Sequence, residues 1–278
     1  ALLLVSLWLA RPLFPSWWSV CLAPGLILLA GVGWWDDHRP LSARVRFAVQ
    51  LIACGFLLWC ALRSGWMGGA LSVALAGVFI LWMTNLYNFM DGSNGMAGLQ
   101  GVFGGFVLAW LFAIGGDMPS ALVAAVVASA CLGFLPWNLG QARVFMGDVG
   151  SLVLGFTIGA MIVFGVASGA FDLPVGLMVM SLFLADSTLT LLVRVMKGER
   201  WYNAHRQHLY QRLIVSGWTH GRVALLYQVI NLALVVPGIA LAVKFPQSAW
   251  PIALAMALVF GLGWYLIIKK IGVFARAE

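Results

Sequence analysis

The chain has 278 residues, of which 63% are hydrophobic and only 9% are charged, and its mean hydropathy is +0.98. Soluble domains carry roughly 25% charged residues, so the composition excludes a soluble protein. The formal net charge of +7 would indicate an anionic partner in a soluble chain. In a membrane protein it mainly reports the orientation of the loops, and we predict membrane lipid as the surroundings and no nucleic-acid partner.

Nine segments are apolar and long enough to cross a bilayer, which takes about 20 residues each. They predict an all-α fold, a polytopic transmembrane helical bundle that forms one integral-membrane domain over residues 1–278. The segments are 17–35, 43–62, 70–90, 96–116, 119–138, 149–169, 173–196, 222–243 and 248–268. A tenth stretch, Leu2–Leu9, is too short to cross. We interpret it as the end of a partial N-terminal helix whose beginning is missing, with a short interfacial segment as the alternative.

The connecting loops divide into two sets of very different charge. Of the 16 Lys and Arg residues, 13 lie in or beside the loops at 36–42, 91–95, 139–148 and 197–221 and the tail after 268. The positive-inside rule puts this set in the cytoplasm. All four His residues and six of the nine acidic residues fall on the same side. Since these residues take no part in the rule, their position independently predicts a functional site at the cytoplasmic face.

The first polar motif is the pair Asp36-Asp37, at the end of the first span, with Arg39, Arg44 and Arg46 after it. Adjacent carboxylates can take a proton from a phosphate or bind a divalent cation. The alternative is a solvated helix end without a specific function.

The second motif extends from Asn85 to Gly95. Asn85 and Asn88 lie one turn apart in an apolar helix, where amides are costly, so they should face a cavity or another helix. The Asp91-Gly and Asn94-Gly pairs then end the helix, and glycine allows a ligand to approach the backbone closely. An ordinary turn with amide bonds between helices is the alternative.

The third motif, Phe-Met-Gly-Asp-Val-Gly-Ser at 145–151, opens a helix. Asp148 or Ser151 could cap that helix. Alternatively, the helix N-terminus faces a phosphate and Asp148 holds the cation that neutralises it.

The fourth motif lies in the longest loop, at 199–212, and is rich in basic side chains. His205, Arg206 and His208 could clamp a diphosphate. His205 and His208 are also spaced as a metal pair would be, but we favour anion binding over zinc. A loop that touches anionic lipid is the remaining alternative.

Asp186 stands apart from these motifs because it lies within a span. An intramembrane acid is a functional candidate by default. It could equally be a structural partner of Arg194, and the sequence leaves both interpretations open.

Together these motifs resemble those of the polyprenyl-phosphate N-acetylhexosamine-1-phosphate transferases. The matching patterns are N-x-x-N-F-x-D-G at 85–92, F-M-G-D-x-G-S at 145–151 and A-H-R-x-H-L-Y-Q-R-L at 204–213, in that order. The Asp36-Asp37 segment is similar to the first cytoplasmic motif of the family. The form of the last motif resembles the branch that starts O-antigen and other surface glycans. The peptidoglycan branch carries a run of histidines there instead.

The resemblance implies that a UDP-N-acetylhexosamine gives its sugar 1-phosphate to undecaprenyl phosphate and releases UMP. It also implies Mg²⁺, with Mn²⁺ as a possible substitute, a bacterial inner membrane and a site that faces the cytoplasm; a homodimer is a possible assembly. A peptidoglycan-type phospho-N-acetylmuramoyl-pentapeptide transferase is the alternative within the family. A secondary transporter that uses Asp186 and the paired acids is the alternative outside it.

The resemblance also implies roles for individual residues. Asp148 would be a magnesium ligand and Asn88 a second one, while Asp36 or Asp37 would deprotonate or orient the lipid phosphate. Asp91 is the third catalytic candidate and would lie near the uridine. The substrate-binding candidates are Asn85, Asn94, Arg46, His205, Arg206 and His208.

Two departures from the family pattern stand out. Many members have Asp where this chain has Asn94; an amide keeps an acceptor but loses the charge, which makes a metal role there less suitable than a base or ribose contact. The family also begins with another span and a basic, Gly-rich segment before the Asp-Asp motif, and we expect both to be missing from this sequence.

Overall fold

The computed structural model describes residues 18–199 and 206–274, so Leu2–Leu9 and His205 lie outside the described part. Within these ranges the regular structure is entirely helical, which confirms the predicted all-α class. The helices are α1 (Ala23–His38), α2 (Ala43–Arg63), α3 (Ala70–Phe89), α4 (Met96–Ile114), α5 (Met118–Asn138), α6 (Gly147–Ala167), α7 (Leu173–Val179), α8 (Ser181–Met196), α9 (Leu209–Val215), α10 (His220–Ile230), α11 (Val236–Lys244) and α12 (Ala249–Phe274).

Short irregular helical turns extend or join several of these helices. A π-helical turn, Trp18–Leu22, precedes α1, and another, Asn231–Val235, makes α10 and α11 one continuous span. A 3₁₀ turn, Pro246–Ser248, precedes α12. Within the described residues, eight helical segments are long and apolar enough to cross a membrane, and the pair α7–α8 makes nine when it is taken as one further span. The predicted number of crossings is thereby supported.

The predicted span at 173–196 is divided into two helices by a sharp bend. Helices α7 and α8 are bent by 79° at Met180, which is fully buried. Hydropathy measures only how apolar a segment is and carries no information about its direction, and both halves are apolar. The bend therefore depends on the packing of α7 against neighbouring helices, which the sequence pattern could not indicate.

Helix α6 lies at the centre of the site-bearing half of the bundle and packs against α1 and α3. Glycines make this close approach possible: a Cβ atom at Gly33 of α1 would lie 2.6 Å from the backbone of Asp148 and Val149, and one at Gly155 of α6 would lie 2.6 Å from the Met83 carbonyl oxygen of α3. Small residues allow this kind of packing between membrane helices. The result is that the polar ends of α1, α3 and α6 meet.

The two sets of loops lie at opposite ends of the bundle. The loops after α4, α6 and α11 line one cavity of about 250 Å³, to which Gly115, Asp172 and Pro246 contribute. The polar motifs meet at the other end, where hydrogen bonds join them directly. The predicted alternation of the loops is consistent with this arrangement.

Candidate active site

Asp36, in the last turn of α1, faces the beginning of α2. Its Oδ2 lies 2.8 Å from Nη1 of Arg46, and its Oδ1 accepts a 2.5 Å hydrogen bond from the Leu41 N–H. The side chain is only 11% exposed. Asp36 therefore fixes the Arg46 guanidinium and neutralises part of its charge.

Asp37 points to a different partner, although it is the next residue. Its carboxylate accepts hydrogen bonds from the backbone N–H groups of Asp148 (3.0 Å) and Val149 (3.4 Å). These groups belong to the first turn of α6, where N–H groups lack partners within the helix and the helix dipole favours an anion. A carboxylate of α1 thus occupies the anion position at the N-terminus of α6.

This contact bears on the capping alternative for the third motif. The N-cap position of α6 is Met146, whose side chain makes no capping bond. Asp148 and Ser151 lie inside the helix, and the Ser151 hydroxyl donates to the Gly147 carbonyl oxygen at 2.9 Å. Neither residue is the cap, because both lie beyond the N-cap position. The negative charge at this helix end comes from Asp37 instead.

Asp148 is the point at which three of the four motifs meet. Its Oδ1 accepts a 2.7 Å hydrogen bond from the Asn88 amide of α3, and its Oδ2 lies 3.3 Å from Nη1 of Arg46 on α2. The Asn88 amide also donates to the Ser151 hydroxyl at 3.0 Å. Residues that are 60 to 102 positions apart in the chain are therefore in direct contact.

A cavity of about 120 Å³ opens beside this cluster. The Asn85 amide donates to Oε1 of Gln50 at 2.7 Å. Asn85 and Asn88 both line the cavity, as expected for amides in an apolar helix. One part of its wall is polar and another is aromatic and aliphatic; the lining residues are Ala43, Arg46, Phe47, Gln50, Asn85, Asn88, Phe89, Asp148 and Leu152. The cavity could therefore accept a molecule with a charged head and an apolar tail.

A second cavity of about 230 Å³ contains Asp91 and Asn94, just beyond the end of α3. The Asn94 amide donates to the Gly140 carbonyl oxygen at 2.9 Å. Burial, followed by the negative charges of Asp148 and Asp37, raises the pKa of Asp91 to about 8. The raised pKa favours the protonated carboxyl group, which can donate a hydrogen bond.

The fourth motif is divided by the structure. Arg206 is exposed, and His205 lies outside the described residues. His208 is 2% exposed, and its Nδ1 lies 4.0 Å from Oδ1 of Asp186. Burial lowers the pKa of His208. The interpretation of His208 as a substrate-binding side chain needs correction, because the side chain packs into the protein interior; residue spacing alone could not predict that burial.

The carboxylate of Asp186 is surrounded by hydrogen-bond donors. It accepts hydrogen bonds from the N–H groups of Leu209 (2.7 Å) and Tyr210 (3.3 Å), from the Tyr227 hydroxyl (2.8 Å) and from the Trp264 indole (3.2 Å). The residue is 2% exposed. These contacts favour a structural role, in which Asp186 holds the start of α9; the salt bridge of Arg194, the structural partner predicted from the sequence, is with Glu199 at 3.0 Å.

Tyr210 is a residue that the sequence analysis did not single out. Its hydroxyl donates to the Phe89 carbonyl oxygen at 2.9 Å and accepts from the Gly92 N–H at 3.1 Å. The side chain is fully buried. Tyr210 thereby joins the fourth motif to the second. Its position two residues after His208 in a polar motif was the only indication in the sequence that Tyr210 belongs to the site. A tyrosine in a sequence does not indicate which residue it contacts.

The sequence model described as Glycosyl transferase family 4 matches residues 18–166, which is more than half of the chain. This chain belongs to that family. A relative in Bacillus subtilis, described as a probable undecaprenyl-phosphate N-acetylglucosaminyl 1-phosphate transferase, is 26% identical over 84% of this chain and 68% of its own length. A decaprenyl-phosphate N-acetylglucosaminephosphotransferase of Mycolicibacterium smegmatis is 29% identical over 88% and 68%. A phospho-N-acetylmuramoyl-pentapeptide-transferase of Rippkaea orientalis is 31% identical over 77% and 66%.

The part that matches glycosyl transferase family 4 contains the cluster around Asp148 and both cavities beside it. Asp186 and the fourth motif lie beyond the match but are continuous with the site through Tyr210. Membership of this family, together with the spanning helices, makes the chain a multi-pass membrane enzyme that transfers a sugar phosphate.

Proposed function

We propose that this chain transfers N-acetylhexosamine 1-phosphate from a UDP-sugar to undecaprenyl phosphate, releases UMP, and so begins an O-antigen or another surface glycan. The observation that carries the proposal is the convergence of three polar motifs on Asp148 beside a cavity with both polar and apolar walls. The names of the relatives agree with the reaction class. Relatives named as pentapeptide transferases keep the peptidoglycan-type reaction as the second candidate.

The cavity of about 120 Å³ suits the phosphate end of the lipid acceptor. Arg46 can bind a phosphate through its guanidinium, while Phe47 and Leu152 contact the first apolar groups of the tail. Asp36 orients the guanidinium. Asp37, whose partners are N–H groups and not a guanidinium, is placed in the proposal as the group that accepts a proton from the acceptor phosphate.

The donor set around Asp148 fits a magnesium ion. Mg²⁺ binds one or two carboxylates together with substrate phosphates and water, and seldom a complete protein cage. Among the described residues, no three His, Cys, Asp or Glu side chains are grouped as such a cage would require. The Asn88 amide presents nitrogen to Asp148, and half a turn about its last bond would present oxygen instead, giving Asp148 and Asn88 as two oxygen ligands.

When bound, magnesium or the substitute manganese would neutralise the two phosphates that must approach each other. This positive charge must come from a bound ion, because Arg46 already contacts two carboxylates, Asp36 and Asp148, and Asp37 adds a third negative charge at the N-terminus of α6. The residues of the chain orient the reactants: Asp148 and Asn88 toward the donor diphosphate, and Arg46 toward the acceptor.

The second cavity suits the uridine of the donor. Asp91, when protonated, can donate to a carbonyl oxygen of the base, and Asn94 offers both a donor and an acceptor to the base or ribose. Asn85 remains a substrate contact through the first cavity. In this proposal Arg206 and His205 bind the diphosphate or sugar, and His208 supports them from the interior.

The decisive assay uses the purified chain in detergent with undecaprenyl phosphate, Mg²⁺ and a radiolabelled UDP-sugar. We expect one UMP released for each labelled undecaprenyl-diphospho-sugar, and no turnover after EDTA treatment until Mg²⁺ is restored. Parallel reactions with UDP-GlcNAc, UDP-GalNAc and a UDP-6-deoxy-N-acetyl sugar identify the donor. Turnover of UDP-N-acetylmuramoyl-pentapeptide alone would favour the peptidoglycan-type reaction. Solute uptake by proteoliposomes without UMP formation would favour a transporter.

We also propose that the site faces the cytoplasm of a bacterial inner membrane, on the strength of the charge asymmetry of the loops. Cysteine labelling tests this orientation directly, because all four native cysteines are buried. In intact cells, a thiol reagent that does not cross membranes should label Asp172→Cys and spare Arg206→Cys; both positions are exposed, at opposite ends of the bundle. The reverse pattern would invert the proposed orientation.

A further inference from the structure

We propose that Tyr210 is a positioning residue that sets the turn carrying Asp91, and that Asp186 holds Tyr210 in place. Tyr210 lies in the short helix α9, and Asp186 lies in α8. The inference deepens the proposed function, on which its kinetic part rests, because it explains how a buried acid outside the reacting cluster controls that cluster.

The turn after α3 is held on both sides of Asp91 by one hydroxyl group. Tyr210 donates to the carbonyl oxygen of Phe89 at 2.9 Å and accepts from the N–H of Gly92 at 3.1 Å. A Cβ atom at Gly92 would overlap the Tyr210 hydroxyl, so the missing side chain of the glycine is what admits the tyrosine. A backbone group on each side of Asp91 is therefore fixed by a side chain more than 100 residues away.

Tyr210 is fixed in turn by the carboxylate of Asp186. The first N–H groups of a helix have no partner within that helix, and in α9 the N–H groups of Leu209 and Tyr210 bind Asp186 at 2.7 and 3.3 Å. Helix α9 has only seven residues, too few to be stable alone. Its position therefore depends on the group that binds its first turn.

The donors around Asp186 explain how a carboxylate is tolerated there. A charge away from water is costly unless hydrogen bonds compensate it. Tyr227 of α10 and Trp264 of α12 supply two further donors, at 2.8 and 3.2 Å. Asp186 thus joins α8, α10 and α12 to α9, and α9 to the Asp91 turn.

The turn matters because it begins just after Asn88, at the end of α3, and lies between the two cavities. The Asp91 N–H donates to the Asn88 carbonyl oxygen at 3.2 Å, so a shift of the turn moves both residues. Catalytic geometry is sensitive to displacements of about 1 Å. Loss of the Tyr210 hydroxyl should therefore reduce turnover without removing any group that contacts substrate.

The test compares Tyr210→Phe with the matched control Tyr227→Phe. Each change removes one buried hydroxyl: that of Tyr227 donates to Asp186, whereas that of Tyr210 contacts the turn. We expect Tyr210→Phe to lower kcat/KM about tenfold, since two hydrogen bonds are lost, and Tyr227→Phe to lower it about twofold or less. Equal losses in the two variants would contradict the proposal.

A double-mutant cycle separates positioning from a general effect on packing. In an Asp91→Asn background, Tyr210→Phe should have little further effect on kcat/KM, because the residue that it positions has already been changed. A purely structural role would give the same fold-change in both backgrounds, and that additive result would overturn the inference.

Hydrogen exchange supplies a readout that does not depend on the reaction. Peptides covering 89–95 should exchange faster in Tyr210→Phe than in wild type and Tyr227→Phe, because the Gly92 N–H loses its acceptor. Asp186→Asn should also speed exchange in these peptides. If Asp186→Asn does not fold, the comparison of Tyr210→Phe with wild type is sufficient for the test. Unchanged exchange would refute the positioning role even in an active transferase. Faster exchange in a protein without UMP release would instead refute the proposed function alone.

Discussion

Asp148 and Asp186 are two carboxylates of the same bundle, yet their surroundings are opposite. The Asp148 side chain is 21% exposed and borders a cavity, and it shares Arg46 with a second carboxylate. Asp186 is 2% exposed, and N–H and O–H donors from four helices surround its oxygens. A carboxylate that is short of positive charge is ready to bind a cation; one that its donors satisfy is part of the architecture.

The comparison also shows why polarity alone is a poor guide to catalysis in a membrane protein. Both residues are costly in an apolar environment, and the sequence offers the same argument for each. The two sites differ in the source of the donors or cations that compensate the charge of the carboxylate. For Asp186 the protein supplies them, and for Asp148 we infer that a ligand completes them.

The largest effect is expected for Asp148→Asn. Loss of the carboxylate should lower the rate of UMP release more than about 100-fold, because metal stabilisation of phosphate charge is worth several kcal/mol. The melting temperature should stay within about 3 °C of wild type, since repulsion from Asp36 and Asp37 is relieved. Exposed Asp172, at the opposite end, provides the control Asp172→Asn, which should keep full activity. An active Asp148→Asn enzyme would rule out its metal role.

Asp186→Asn, in contrast to Asp148→Asn, should mainly lower the stability of the protein. The amide keeps the size of the side chain but loses the charge and turns an N–H₂ group toward donors, which should cost about 3 kcal/mol. We expect the melting temperature to fall by roughly 5–10 °C, and activity to fall together with it. If Asp186→Asn instead melted like wild type and lost all turnover, Asp186 would belong with Asp148 and not with the architecture.

A smaller effect is expected where α1 approaches α6. Gly33→Ala would place a methyl group 2.6 Å from the backbone of Asp148 and Val149, so the helices must separate and Asp37 must withdraw from the N-terminus of α6. We expect about 2 kcal/mol of destabilisation and about tenfold lower activity.

The matched control for this change is Gly31→Ala, in the same helix. A Cβ atom at Gly31 would meet nothing within 4 Å. Its melting temperature should equal or exceed that of wild type, because alanine favours helix more than glycine does. Equal loss of activity in both variants would show that the close contact at Gly33 is unimportant.

The smallest effect concerns the pH dependence of stability through His208. Burial lowers the pKa of His208 from its ordinary value of 6.5, so the folded state keeps the ring neutral while the unfolded state takes up a proton. Stability should therefore fall as the pH drops below about 6.5. The loss of melting temperature between about pH 7.5 and about pH 5.5 should be smaller in His208→Gln than in wild type or in the exposed control His38→Gln. An identical loss in all three would contradict the buried, neutral histidine.

The motifs that meet at Asp148 could be predicted from the sequence because each is a local pattern. Asn85 and Asn88 are one turn apart in an apolar helix, which required a cavity or a partner, and both line a cavity. The order of the motifs along alternating spans placed them at one end of the bundle, and their contacts agree. The roles of these residues in binding and catalysis remain predictions.

Other features depended on contacts that no local pattern reveals. Three such contacts join residues that are far apart in the chain. Tyr210 occupies the space beside Gly92, Asp37 binds the N-terminus of α6, and His208 is buried beside Asp186. A histidine in a basic loop suggests a ligand contact, and only the position of His208 beside Asp186 shows that its side chain faces inward.

The sequence by itself determined that this is a helical membrane protein, how many times it can cross the bilayer, which loops share a side and which residues are polar enough to form a site. These are properties of composition and local periodicity, because the bilayer imposes the same length and polarity on every span. Only the tertiary structure decided the 79° bend between α7 and α8 and the different environments of Asp148 and Asp186. Both depend on distances between helices, which packing sets and hydropathy does not contain.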